Sequence, residues 1–158
     1  MNKVRVNSYL DKARAAIIHT GMARNNRLEG NYRSQISSFG AAIVMGSLKS
    51  AIAFFSQKNG ASVDRPKIIV AMYLLVTGEE FDANTVLRDE PAKGEKESEI
   101  EKKAWKVFDY VCKNDNYETK EKFCDASIAL KLVCNTFSKP EARNNQNENN
   151  NAQSGESE

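Results

Sequence analysis

Apolar residues recur at helical spacing along most of the chain. Val6, Leu10, Ala13 and Ile17 are four, three and four residues apart, which places them along one face of a helix. The same period returns in later stretches, with breaker residues between them. Six helices are predicted, over residues 4–20, 31–45, 47–58, 64–78, 97–113 and 118–137, and a further short helix over 83–88.

The fourth stretch carries the clearest helix signals. Pro66 fits the first turn of a helix that Asp64 can cap, and Gly78 fits its end. Residues 68–76 are apolar nearly all round, and a helix of that kind is usually buried in the middle of a bundle. The stretch is too short to span a bilayer. The sequence therefore predicts an all-α fold, a compact bundle of about six helices around this segment.

The composition changes abruptly after Pro140. Asn, Gln, Glu and Ser dominate there, and no apolar residue is larger than alanine. Such a segment has too little apolar surface to offset the entropy of ordering. We expect one helical domain over residues 1–137 and a disordered, asparagine-rich tail over 138–158.

The cysteines and the N-terminus bear on the compartment. The chain has an odd number of cysteines, Cys112, Cys124 and Cys134, and their spacing fits no zinc or redox motif. This favours reduced thiols in a helical core. The N-terminal residues carry charge and lack the apolar run of a signal peptide. A cytoplasmic protein with no membrane contact is expected.

Charge is distributed unevenly. Residues 1–78 contain eleven Lys/Arg and three Asp/Glu, whereas residues 79–137 contain ten and fourteen. A basic first half suits an anionic partner, either a phosphate backbone or an acidic protein surface. A merely solvated basic face is the third interpretation.

Candidate chemistry is sparse. The single histidine, His19, belongs to no catalytic motif, and the carboxylate pairs Glu79-Glu80 and Asp89-Glu90 lie in an acidic, solvated stretch. Residues of the types that bind metals do not cluster in the sequence. We expect no catalytic residue, no metal, no cofactor and no enzymatic activity.

Residues 32–58 resemble a known family. Three motifs carry the resemblance, namely Tyr32-Arg33-Ser34, residues 43–48 (IVMGSL) and residues 51–58 (AIAFFSQK). Together they describe an apolar helix, a glycine turn and a second helix that ends in lysine. On these motifs the chain resembles the small all-helical subunit of the type III-B CRISPR effector, the Cmr complex. Residues 129–133 loosely match the family's C-terminal helix.

The resemblance implies a non-catalytic role in antiviral defence. Members of that family stack beside the backbone RAMP subunits and help form the groove for target RNA. The implied partners are those subunits, the large polymerase-like subunit, the guide RNA and the target RNA.

Contact with RNA would then fall on the basic half of the chain. Because the sequence has cations there but no motif that reads bases, the contact is expected at the phosphate backbone. The residues expected to include most of the RNA-facing charge are Arg27, Arg33, Lys49, Lys58, Arg65 and Lys67. Lys3, Arg5, Lys12 and Arg14 are weaker candidates, since an amphipathic helix normally has a charged outer face. The alternative is a helical protein-interaction adaptor that binds an acidic partner.

Overall fold

The computed structural model describes residues 1–57, 63–87 and 97–138. Within those ranges it contains six helices and one two-stranded hairpin. In chain order they are α1 Lys3–His19, β1 Ala23–Arg24, β2 Arg27–Leu28, α2 Tyr32–Met45, α3 Leu48–Phe55, α4 Arg65–Thr77, α5 Glu99–Lys113 and α6 Tyr117–Cys134. The prediction of an all-α bundle of about six helices is confirmed. The predicted disordered tail lies outside the described residues, except for Ser138.

Polar side chains begin most of the helices. Asn2, Asn31, Ser47 and Asn116 each accept a hydrogen bond from a backbone N–H in the first turn of α1, α2, α3 and α6. At the start of α5, Ser98 and Glu101 form a reciprocal capping box. These caps satisfy backbone donors that have no partner within the helix, which fixes where each helix starts.

The ends of α4 follow the sequence signals only in part. Asp64 precedes the helix and Pro66 lies in its first turn, but the Asp64 side chain makes no capping hydrogen bond. Gly78 ends the helix with φ at 68°, a left-handed conformation that glycine adopts without a steric cost.

Three predicted boundaries were too wide. The structure ends α3 at Phe55 rather than at residue 58, begins α5 at Glu99 rather than at 97, and ends α6 at Cys134 rather than at 137. After Cys134, the Thr136 hydroxyl and backbone N–H both bond to the Val133 carbonyl, which turns the chain.

The short helix predicted over 83–88 is wrong for its described part, 83–87. The Asp82 carboxylate accepts hydrogen bonds from the Asn84 backbone N–H (2.8 Å) and the Thr85 hydroxyl (2.9 Å). An aspartate that folds back on the next residues competes with helix formation. The chain therefore forms a turn here.

α4 lies in the middle of the bundle, as its apolar sequence predicts. It contacts α1, α2, α3, α5 and α6, and Ile68, Ile69, Val70 and Met72 are fully buried. No helix among the described residues is both long and apolar enough to cross a membrane.

Helices α1 and α6 run side by side in the same direction. The start of α1 meets the middle of α6, where Arg5 Nη1 donates to the fully buried Asp125 carboxylate at 3.2 Å. Farther along, Arg14 donates to the Thr136 hydroxyl just beyond the end of α6. The arrangement brings the end of α6 next to the connection between α1 and α2.

Candidate nucleic-acid interface

A short β-hairpin joins α1 to α2 and carries two exposed arginines. Arg24 and Arg27 are partners across the antiparallel pair β1–β2. Asn25 and Asn26 form the turn, with φ at 49° and 61°. Positive φ at both turn residues suits a tight hairpin, and asparagine tolerates it better than other side chains do.

Arg14 fixes this hairpin to the bundle. Its guanidinium donates to Asn26 Oδ1 at 2.8 Å and to Thr136 Oγ1 at 3.2 Å, and it lies 4.5 Å over the ring of Phe137. The Ser138 backbone N–H also donates to the Asn26 carbonyl at 3.0 Å. The hairpin tip is therefore held from both α1 and the segment after α6.

Arg33 extends the cationic area onto α2. It is exposed in the first turn of the helix and lines a cavity of about 330 Å³ together with Asn31, Asn135 and Phe137. We call Arg14, Arg24, Arg27 and Arg33 the arginine surface. Within residues 12–36 the sequence has one carboxylate, Glu29, so the local charge is strongly positive.

The predicted RNA-facing residues do not form one cluster. Arg27 and Arg33 share the arginine surface. Lys49 lies elsewhere, where its ammonium is 3.0 Å from Asp115. The hydrogen bond to Asp115 and the charge of that carboxylate raise the pKa of Lys49 above its ordinary value. Lys58 lies outside the described residues.

Lys67 is not on the surface, which corrects the prediction for this residue. The residue is buried, with 5% of its surface exposed, and Nζ donates to the backbone carbonyl of Gly21 at 3.2 Å. Gly21 has φ at 70°. The lysine in the first turn of α4 thus reaches the end of α1 and bonds to it from inside the fold.

Arg65 is half-buried and held in place between α2 and α3. Its Nε donates to Gln35 Oε1 at 3.2 Å, and its guanidinium lies 4.4 Å over the ring of Phe54. Gln35 follows Arg33 by two residues on α2. Positions two apart on a helix point to different sides, so Arg65 contacts another side of α2 from the one that carries Arg33, with its guanidinium against the exposed ring of Phe54.

Sequence analysis did not identify the hairpin that brings Arg24 and Arg27 together. It did not select Arg24 as an RNA-facing residue, and it gave Arg14 only as a weaker candidate on a charged helix face. The one available signal was the pair Asn25-Asn26 between Arg24 and Arg27, since adjacent asparagines suit a tight turn.

His19 has a structural role in the described fold. Its Nδ1 donates to the backbone carbonyls of Asp82 (2.9 Å) and Thr85, and its ring packs on Phe81 with 4.9 Å between centroids. The imidazole thus holds the loop after α4 against the end of α1.

Cys134, which is buried, and Cys124, which is half-buried, are poor nucleophiles. Burial raises the pKa of the Cys134 thiol to about 11, although the charge of Arg33 opposes the shift, and burial likewise raises the pKa of Cys124. Both side chains are protonated near neutral pH, and the thiolate is the reactive form. Among the described residues no three His, Cys, Asp or Glu side chains are grouped so that they could hold a metal ion.

Comparison with models of protein families, with curated proteins and with solved structures finds no match to this chain.

Proposed function

We propose that the chain binds the phosphate backbone of RNA through its arginine surface, as a non-catalytic small subunit of an RNA-targeting effector complex of the type III-B CRISPR kind. The observation that carries the RNA-binding part is the arginine surface itself. Four arginines from α1, the hairpin and α2 lie together at one end of the bundle, with Glu29 as the nearby carboxylate in the sequence.

Arginine suits this task for a geometric reason. Its planar guanidinium can make two parallel hydrogen bonds to a phosphate, and it stays charged at any physiological pH. The backbone of Arg24 and Arg27 is held by a short hairpin that Arg14 anchors, so phosphate binding would order the two side chains but little backbone. The arrangement favours backbone contact without readout of the base sequence.

The assembly part of the proposal rests on the resemblance of residues 32–58 to the small Cmr subunit. In the structure Tyr32 is buried at the first position of α2, so the Tyr32-Arg33-Ser34 motif places Arg33 outward in the same turn. Gly46 and Ser47 then separate α2 from α3, as the glycine turn of the motif implies.

A double charge reversal tests the RNA contact. Arg27→Glu with Arg33→Glu should weaken binding of a labelled single-stranded RNA by a similar factor for unrelated sequences, measured by fluorescence anisotropy. Each lost phosphate contact should reduce the slope of log K against log salt by roughly 0.7. The matched control is Lys3→Glu with Lys113→Glu, which makes the same charge change at exposed residues in the first turn of α1 and the last turn of α5.

The same variants separate RNA binding from protein binding. If Arg27→Glu with Arg33→Glu blocks assembly with other effector subunits but leaves the RNA affinity of the free chain unchanged, the surface binds an acidic protein partner. A folded double variant with unchanged RNA affinity and unchanged assembly would show that the arginines are only solvated. Circular dichroism confirms the fold of each variant.

A further inference from the structure

A groove between α3 and α5 has mostly apolar walls. Its volume is about 390 Å³, and Ala53, Ala104, Trp105 and Phe108 line it. Trp105, the single tryptophan of the chain, is 63% exposed, and Phe108 packs edge-on against it with 6.4 Å between ring centroids. A cavity of this size with apolar and aromatic walls is typical of a binding site. The groove therefore presents a large aromatic ring that a second ring supports from one side.

The polar side chains of the groove can accept hydrogen bonds. They belong to Ser56, Gln57 and Glu101. The Ser56 hydroxyl donates its hydrogen to the Ile52 carbonyl at 2.8 Å, so toward the groove its oxygen acts as an acceptor. The Glu101 carboxylate accepts from the Ser98 backbone N–H at 3.1 Å, and this capping bond fixes it at the start of α5. Because a carboxylate has about four lone-pair sites, it can also accept from a ligand.

The lysines next to Trp105 in the sequence lie on the other side of this residue. Successive residues of an α-helix are turned by about 100° around its axis. This rotation places Glu101 and Phe108 to one side of Trp105, and both line the groove. It places Lys102 and Lys106 to the opposite side. Among the residues that the structure describes, no lysine or arginine lines the groove, so its one formal charge is negative.

An aromatic face beside a carboxylate is suited to binding a cation. A guanidinium is attracted to the face of a tryptophan ring, and its planar fork can make two parallel hydrogen bonds to a carboxylate. Arginine suits such a groove better than lysine, because a guanidinium stacks flat on a ring and is more weakly hydrated than an ammonium. Glu101 precedes Trp105 by four residues, so the two side chains are neighbours on α5 and can contact one guanidinium together.

We propose that the α3–α5 groove binds an arginine side chain of a partner protein, with the guanidinium stacked on Trp105 and hydrogen-bonded to Glu101. The apolar stem of that arginine packs on Ala53 and Ala104. One guanidinium on an exposed ring contributes little affinity by itself, so apolar residues of the partner on either side of the arginine must add contacts. Tryptophan and arginine are the residue types that most often dominate the binding energy of protein interfaces. The inference does not depend on RNA binding.

The fluorescence of Trp105 in the full chain reports directly on the groove. A capped peptide of sequence Ala-Leu-Arg-Leu-Ala has one arginine between apolar residues and no other charge. At up to millimolar concentration it should change the fluorescence of Trp105 saturably. The same peptide with citrulline in place of arginine keeps the planar group but lacks the charge, so it should bind roughly tenfold more weakly.

Removal of the carboxylate provides the second measurement. Glu101→Gln removes the charge but keeps the capping box, since glutamine also serves at this position. Its affinity for the labelled arginine peptide, measured by fluorescence anisotropy, should fall roughly tenfold. The matched control is Glu118→Gln, which removes a carboxylate from an exposed residue in the first turn of α6 that does not line the groove. This control should change the affinity by no more than about twofold.

Removal of the ring provides the third measurement. Trp105→Leu keeps an apolar side chain but removes the aromatic face, so the affinity for the arginine peptide should fall roughly fivefold. The matched control is Tyr117→Leu, because Tyr117 is an aromatic residue that is 77% exposed at the start of α6 and does not line the groove. Circular dichroism confirms that each variant is folded.

Three results would overturn the proposal. The first is an arginine peptide that binds Glu101→Gln as tightly as the unaltered chain, or no more tightly than the citrulline peptide does. The second is N-acetyl-arginine amide binding as tightly as the peptide, because the groove would then serve a free guanidinium compound. The third is Trp105 fluorescence that changes with protein concentration in the absence of peptide, because a second copy would then cover the groove. All three leave the arginine surface intact, since that surface is tested by RNA binding.

Discussion

Replacing Ile69 by alanine tests whether α4 is the tightly packed centre of the bundle. Ile69 is fully buried in a helix that contacts the other five helices of the described fold. Alanine keeps the helix propensity high, so the expected loss of stability comes from packing and not from the backbone.

The magnitude follows from the side chain that is removed. Isoleucine has three more carbons than alanine, and burying each contributes about 0.8 kcal/mol. The cavity left behind adds roughly 24 cal/mol per Å³, or about 1–2 kcal/mol if the surrounding helices only partly collapse. The free energy of unfolding should fall by about 3.5–4.5 kcal/mol, which corresponds to a decrease in Tm of about 10 °C for a chain of this length.

Urea unfolding followed by circular dichroism measures the difference. The control is Val44→Ala, because Val44 is 75% exposed on α2 and its loss should change stability by no more than about 0.5 kcal/mol. A loss below about 1 kcal/mol for Ile69→Ala, with an unchanged denaturant slope, would refute the close packing of α4, since a loosely filled centre would tolerate the deletion.

Two further predictions concern the hairpin and the pH dependence of stability. Asn25→Val should lower the free energy of unfolding by about 1–2 kcal/mol, because a β-branched residue is strained at φ 49°, whereas Asn25→Gly should leave it nearly unchanged. Equal urea midpoints for the two variants would contradict the turn geometry. Because burial raises the pKa of Cys134 from 9.0 to about 11, the folded state holds this proton more tightly than the unfolded state does. The contribution of this thiol to the free energy of unfolding is complete below about pH 9 and is lost as the pH rises toward 11, by up to about 2.7 kcal/mol. Cys134→Ala should flatten this fall in the free energy of unfolding, and an equally steep fall in that variant would contradict the assignment.

The parts of the fold that sequence analysis predicted depend on local signals. The central helix α4 has an apolar run, Pro66 near its start and Gly78 at its end, and all three lie within a few residues of the helix they define. The caps Asn31 and Ser47 likewise act on a backbone N–H only three residues away. Such signals act through neighbouring backbone groups, so they can be read without knowledge of the tertiary structure.

The parts of the fold that sequence analysis missed depend on contacts between residues far apart in the sequence. Lys67 follows Arg65 and Pro66, and the sequence gives no sign that it is buried; its partner is the carbonyl of Gly21, 46 residues earlier. The chain from 83 to 87 has residues compatible with a helix, yet the Asp82 side chain and the ring of His19 hold it as a turn. The β-strands of the hairpin have two residues each, too few for an alternating pattern to show.

The difference between local signals and distant contacts also explains why the arginine surface differs from the six residues predicted to face RNA. A cation counts toward an RNA surface only if the fold leaves it accessible and places it near others, and neither condition can be read from its position in the chain. Lys49 meets the first condition but is paired with Asp115 away from the arginines, and Lys67 fails it. Arg24 meets both because two asparagines turn the chain back beside Arg27. Under the proposed function, the hairpin is therefore the element that makes a diffuse basic half into a local phosphate site.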